Sequence, residues 1–244
     1  MAIQKTEAIL LKKKDFRETS FILTFFTKDF GKIDGILKGA RGVRPRSDAN
    51  PIFFSLDQVV FYEKKLGGLS IISQCETQEV FLNILKEWAR TSSAYYMLEL
   101  ADVFTGAGDK SEDVFDSLYN SFRFLDSGKE ADSITRLFEI KLLTAIGLWP
   151  GAEYFKLTHS TVSKPRPLDN KGRYMPLSVN PEQVERVEGL TKGAMSSVMH
   201  FEKESWKSAS NMKLTKDVNK EIQGITGKII KENIDRPLKT ERFL

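Results

Sequence analysis

The chain has 244 residues, 41% of them hydrophobic, and a formal charge of +4, enough for one large domain or two to three small ones with buried cores. Its longest apolar runs, such as Ala8 to Leu11 and Phe21 to Phe26, are far shorter than the roughly 20 residues that cross a bilayer. The amino end lacks the small-residue cleavage site of a signal peptide, so no membrane association and a cytoplasmic location are expected.

A single cysteine, Cys75, excludes an intrachain disulfide or a cysteine-based zinc site within one chain, and reads as a buried structural thiol. Charge is segregated along the sequence. Residues 1 to 80 carry 13 basic and 10 acidic side chains, residues 81 to 150 carry 7 and 11, and residues 151 to 244 carry 17 and 12. Two basic segments flanking an acidic middle suit a molecule that meets polyanions with some faces and other partners with another.

The first 80 residues predict a five-stranded domain. Alternation marks strands at Thr6 to Lys12, Phe21 to Thr27 and Lys32 to Lys38, then Ile52 to Tyr62 and Leu69 to Thr77, with turns at Lys28 to Gly31 and Glu63 to Gly68. Ile33, Gly35 and Leu37 alternate against Asp34, Ile36 and Lys38, and Phe61 and Tyr62 must face opposite sides of their strand. Five short strands in this length suit an OB-fold barrel.

After Glu79 the apolar period changes from two to 3.6. Phe81, Leu82, Leu85 and Trp88, then Tyr95, Leu98, Ala101 and Phe104, read as one buried helical face. Further helices are predicted at Glu112 to Asp126 and at Ser133 to Ile146, the latter stopped by Gly147 with Pro150 beyond. Residues 151 to 182, with Pro165, Pro167, Pro176 and Pro181, read as a loop or small irregular hairpin. Helical order returns from about Thr191, and Leu214, Val218, Ile222, Ile225 and Ile229 predict a final core-packing helix. The expected class is therefore α+β: an OB-fold domain over 1–80 and a helical domain over 81–244, interrupted at about 151–182.

Catalytic signals are sparse. His159 and His200 are the only histidines, neither has metal-ligand spacing, and Cys75 is remote from both in sequence. Thr105 to Ser111, TGAGDKS, resembles a phosphate loop only in outline, because Asp109 stands where glycine must precede the lysine; an inter-helix turn is expected. What remains is cationic. Gly31 to Arg46 runs from a strand into a glycine-spaced loop carrying Lys38, Arg41, Arg44 and Arg46 with no acid among them. Lys12, Lys13, Lys14 and Arg17 follow the first strand, and Lys64 and Lys65 join the last two. Cations interleaved with aromatics such as Phe16, Phe54, Phe61 and Tyr62 are the combination that holds single-stranded nucleic acid.

These residues also carry a resemblance. Arg17 to Gly42, RETSFILTFFTKDFGKIDGILKGARG, resembles the amino-terminal signature of the RecO family of DNA repair and recombination mediator proteins, in Glu18 to Ser20, Gly31-Lys32 and Lys38 to Arg41. Leu137 to Gly147 is similar to the family's phenylalanine-glutamate helix, and Pro237-Leu238-Lys239-Thr240 with Phe243-Leu244 to its carboxyl end. The resemblance implies an OB-fold followed by a helical domain, in a non-enzymatic protein that binds single- and double-stranded DNA and anneals complementary strands. It further implies help in loading the recombinase RecA, a RecR partner, and binding of the acidic, hydrophobic tail of single-stranded DNA-binding protein. A pocket for that tail is placed around Phe122 and Phe138, with Arg123, Arg136 and Lys141 as its cations, against the favoured alternative that these residues serve the helical core and the helix surface. Many relatives hold zinc with four cysteines in the segment matching Glu153 to Pro176; none stands there in this chain, so no metal or other cofactor is expected. A second class of function, an OB-fold interaction scaffold without direct DNA binding, also accounts for the aromatics and helices but not for the acid-free loop.

Overall fold

The computed structural model describes residues 3–41, 51–63, 68–156 and 190–243. Five strands, β1 (Ile3–Phe16), β2 (Ser20–Thr27), β3 (Gly31–Leu37), β4 (Ser55–Tyr62) and β5 (Ser70–Val80), close into a barrel in the order β1-β2-β3-β5-β4. Every neighbouring pair is antiparallel except β3 with β5. This five-stranded closed sheet is the expected OB-type barrel. β1 is longer than the alternation predicted at both ends, because it pairs with β4 over its first half and with β2 over its second.

The inside of the barrel is filled by Ala8, Leu10, Leu23, Phe25, Leu37, Val59, Phe61 and Ile72, with Cys75 among them. Phe61 is thus the inward member of the Phe61–Tyr62 pair. Gly35 leaves room for Ile72, since a Cβ there would come within 2.7 Å of the isoleucine side chain. Burial pushes the Cys75 thiol far above its ordinary range, as expected of an inert core residue.

Beyond the barrel come a 3-10 turn (Leu82–Lys86) and the helices α1 (Trp88–Phe104), α2 (Glu112–Asp126), α3 (Ala131–Ala145), α4 (Ala152–Lys156), α5 (Lys192–Lys203), α6 (Trp206–Ala209) and α7 (Lys216–Glu232). Ser111, Thr191, Ser205 and Thr215 cap their helices with side-chain oxygens. The stripe predicted for the last helix does pack inward: Ile222 is buried, and Leu214, Val218, Ile225 and Ile229 lie against the helical core. That core also takes in the outward-facing barrel residues Ile9, Leu11, Phe26 and Leu56, and Phe54 just before β4, so one outer wall of the barrel is fused to the helices.

The stripe predicted after Glu79 is corrected. Phe81, Leu98 and Ala101 are buried and Phe104 is half-buried, but Leu82, Leu85, Trp88 and Tyr95 are exposed. Glu87 at φ −132° and ψ 132° breaks the helix between Leu85 and Trp88, so a single 3.6-residue period does not run through them. α4 falls at the start of the segment predicted as irregular; the rest of that segment lies outside the described residues.

Candidate nucleic-acid interface

A bulge at Leu11 shifts the β1–β2 register, and the three lysines that follow are divided by the pleat. Lys13 pairs across to Leu23 and Asp15 to Phe21, residues of the barrel interior, whereas Lys12 and Lys14 pair with the outward Thr24 and Ile22. Lys13 therefore lies over the barrel mouth. Its ammonium sits 4.2 Å from the centre of the Phe21 ring and donates to the Pro51 carbonyl at 2.9 Å. Burial holds it below the ordinary lysine value, with Asp15 acting against that shift.

Arg41 meets the same ring. Its guanidinium lies 5.6 Å from the Phe21 centroid, pairs with Asp15 at 2.8 Å and donates to the Arg17 carbonyl at 3.3 Å. The Arg41 amide donates to Thr19 O at 3.1 Å, which ties the exit of β3 to the β1–β2 turn. Arg17, in the left-handed region at φ 53°, places its guanidinium 5.2 Å from the Phe16 ring. Lys14, Arg17 and Lys38 are exposed. Five of the ten expected cations, Lys13, Lys14, Arg17, Lys38 and Arg41, thus cluster at one end of the barrel, where β1 ends, β2 begins and β3 ends. Arg44, Arg46, Lys64 and Lys65 lie outside the described residues.

Lys12 does not join this cluster. It reaches the helical side and binds Asp102 on α1 at 2.5 Å. Lys32 donates to the Asp102 carbonyl at 2.7 Å and lies 3.6 Å from its carboxylate, and Arg236 donates to it at 2.9 Å. Burial alone would raise this carboxyl; the Lys12 hydrogen bond and the charges of Lys12, Lys32 and Arg236 outweigh it and hold Asp102 below the usual value. A cleft of about 410 Å³ opens here between β1–β3, the end of α1 and the residues after α7. Sequence reasoning missed Lys32, Asp102 and Arg236 as a set, because they meet only in three dimensions; Gly31-Lys32 and the stretch beside Pro237 were noticed as family signature alone.

The expected tail pocket is overturned in its walls. Phe122 and Phe138 are wholly buried in the helical core. Arg136 is buried against Glu139 at 2.8 Å. Lys141 donates to the carbonyls of Glu202 and Glu204 at 3.1 and 3.0 Å, closing the end of α5, and burial lowers its pKa. Arg123 alone is on the surface, stacked 5.5 Å from Tyr119. Thr105 to Ser111 is an inter-helix turn held by the Asp109 carboxylate, which accepts from the Gly106 amide at 2.8 Å. The chain's one cysteine, Cys75, stands buried in the barrel.

A closed OB-type barrel with a cationic, aromatic rim, backed by a helical layer, defines an α+β protein of the OB-fold class. Residues 1–81 match the family described as Recombination protein O N terminal and residues 85–242 the family described as Recombination protein O C terminal. The chain belongs to the Recombination protein O, or RecO, family. It is 33% identical over 147 residues to DNA repair protein RecO of Alkaliphilus metalliredigens, covering 60% of this chain and 59% of the relative. It is 34% identical over 151 residues to that of Caldicellulosiruptor bescii, covering 61% and 60%. For the protein of the same name from Halalkalibacterium halodurans the figures are 29% over 146 residues, 60% and 57%. The chain thus spans somewhat under two thirds of the length of the curated relatives it matches. Among the described residues no helix is long and apolar enough to cross a membrane.

Proposed function

We propose that this protein binds single- and double-stranded DNA at the mouth of its barrel and anneals complementary strands there without making or breaking a bond. The observation that carries this reading is the Lys13–Phe21–Arg41 stack with Lys14, Arg17 and Lys38 exposed around it. Lys13 and Arg41 have given up part of their hydration to hold the rim in place, while the three exposed cations remain available to phosphates. Annealing follows physically, because cations screen phosphate repulsion between two strands while contacts indifferent to sequence let the bases search for register. Arg44, Arg46, Lys64 and Lys65 extend the same contact in this proposal.

Membership of the family supports a role as recombination mediator, assisting the loading of RecA with RecR and the acidic tail of single-stranded DNA-binding protein as partners. For that tail the buried Phe122 and Phe138 offer no site.

The test is fluorescence anisotropy of a labelled oligothymidine at several salt concentrations. Affinity is expected to fall steeply with salt, and the combined change of Lys14, Arg17 and Lys38 to Ala to reduce the log–log salt slope by about 2 units. Binding that is flat in salt, or indifferent to the triple change, would favour the protein-interaction scaffold instead.

A further inference from the structure

Leu82, Leu85 and Trp88 are 61%, 57% and 67% exposed, and Phe243 near the other end of the chain is 41% exposed. Such large apolar side chains in solvent mark a contact surface when they cluster. Leu82 and Leu85 share one side of the 3-10 turn, where residues three apart eclipse. Trp88 opens α1, and its ring stands edge-on to Phe243 at 5.8 Å and 89°. Arg242 lies 4.7 Å from the Phe243 centroid.

The rings are held in place before any ligand arrives. The Glu99 carboxylate accepts from the Lys239 and Thr240 amides at 3.0 and 2.9 Å, and Lys231 binds Glu241 at 2.7 Å. The charge around the rings is positive. Glu87 is paired with Arg90 at 3.1 Å and Glu241 with Lys231, whereas Lys86, Lys239 and Arg242 have no carboxylate partner among the described residues.

We propose that this platform is a second single-strand contact, on which an unpaired nucleobase stacks against Trp88 while Lys86, Lys239 and Arg242 engage the adjoining phosphates. It rests on the reading that the protein binds DNA, and it gives annealing a place for another strand, or for the next stretch of the same one, on elements separate from the barrel mouth. An exposed indole beside cations that have no carboxylate partner among the described residues suits a stacked base and its phosphates.

The chain has three tryptophans; Trp149 is buried and Trp206 partly so, leaving Trp88 as the solvent-facing emitter. Oligothymidine is titrated into the full chain, with intrinsic fluorescence and anisotropy of a labelled oligonucleotide read together. The expected result is quenching of the red-emitting component, absent in Trp88→Phe. The pair Trp88→Ala and Phe243→Ala should slow annealing by about five-fold or more with an unchanged melting temperature. Anisotropy that shows binding without quenching, together with wild-type annealing by the double variant, overturns the platform and leaves the barrel reading intact. Absence of any binding removes both. Quenching by an acidic peptide of alternating glutamate and phenylalanine, but not by oligothymidine, overturns the platform in favour of a protein-docking surface.

Discussion

Glu139 is wholly buried, yet three donors converge on it. Tyr96 Oη lies 2.8 Å from Oε1, and Arg136 Nη1 and Thr226 Oγ1 lie 2.8 and 2.6 Å from Oε2. One carboxylate thereby ties α1, α3 and α7 together, and burial followed by Glu139 itself pushes the Tyr96 phenol well above its ordinary value. The phenylalanine-glutamate pair noticed in the sequence is thus a structural node, with Phe138 packed in the core beside it. Removing only the acid strands the Arg136 charge, whose Nε has no hydrogen-bond partner among the described residues. Glu139→Ala should cost about 3–5 kcal/mol, and pairing Glu139→Leu with Arg136→Met should recover most of it, as read by urea denaturation. A second buried acid, Asp57, lies in the barrel. Burial raises Asp57 despite hydrogen bonds from Thr77 and Ser55. The single Ser55 proton is shared between the Ile52 carbonyl at 2.9 Å and Asp57 at 3.1 Å, and donating it to Ile52 favours a protonated Asp57. The folded state then holds a proton that the unfolded chain has lost, so stability falls as pH rises from 3.8 through the raised folded pKa. Asp57→Asn, whose amide supplies the missing donor, should abolish that fall and melt no lower than wild type above the window.

The segment 236–240 behaves as a strap across α1, and β3 clasps the α1–α2 turn. Asp102 and Glu99 hold the strap. Lys12 and Arg236 are largely exposed, so solvent screening removes most of their share, while Lys32, 15% exposed, carries more. Asp102→Ala should therefore cost about 2 kcal/mol. Asp102 and Glu99 are both held below their ordinary values against the effect of burial. Their contribution is present above the unfolded carboxyl pKa and lost as pH falls through the folded one, so acid should loosen the strap first, visible as faster hydrogen exchange over 236–240. The clasp depends on Gly31. At φ 64° it turns the chain, and a Cβ there would lie within 2.7 Å of the Asp109 carbonyl and the Lys110 amide. Gly31→Ala should therefore release the Gly108 amide from the Lys32 carbonyl, a 2.9 Å bond, and lower the melting temperature. These elements show what the sequence made legible. Strand alternation and helix caps are local, and α2 was placed at Glu112 to Asp126 as found. The roles of Lys12, Gly31-Lys32 and Arg236 depend on contacts across 70 to 134 residues, which no local pattern encodes. The exposed Leu82, Leu85 and Trp88 were misread because periodicity was counted through the break at Glu87.

Two features join barrel and helices into one body: the polar clasp around Asp102 and a shared apolar core. Ile9, Leu11, Phe26 and Leu56 from the barrel wall, and Phe54 from the bend before β4, pack among α1, α2 and their neighbours, and Phe54 stacks on Tyr95 at 4.8 Å and on Phe122 at 5.6 Å. At about 2 kcal/mol for each large side chain withdrawn from water, five of them contribute on the order of 10 kcal/mol, as much as the whole net stability of an ordinary domain. The OB barrel cut out at residue 81 would expose all five. Residues 1–81 expressed alone should therefore aggregate or stay only partly folded. In the full chain, helical circular dichroism and near-ultraviolet circular dichroism should lose signal at the same denaturant concentration. Two separated midpoints would show that the barrel stands without its helical wall. A single midpoint has a functional consequence, because DNA held at the Lys13–Phe21–Arg41 rim would then stabilise the helical layer as well, by mass action through one shared core. Oligothymidine should raise the midpoint of both signals together in proportion to the logarithm of its concentration, and the combined Lys14, Arg17 and Lys38 variant should show a smaller rise in both.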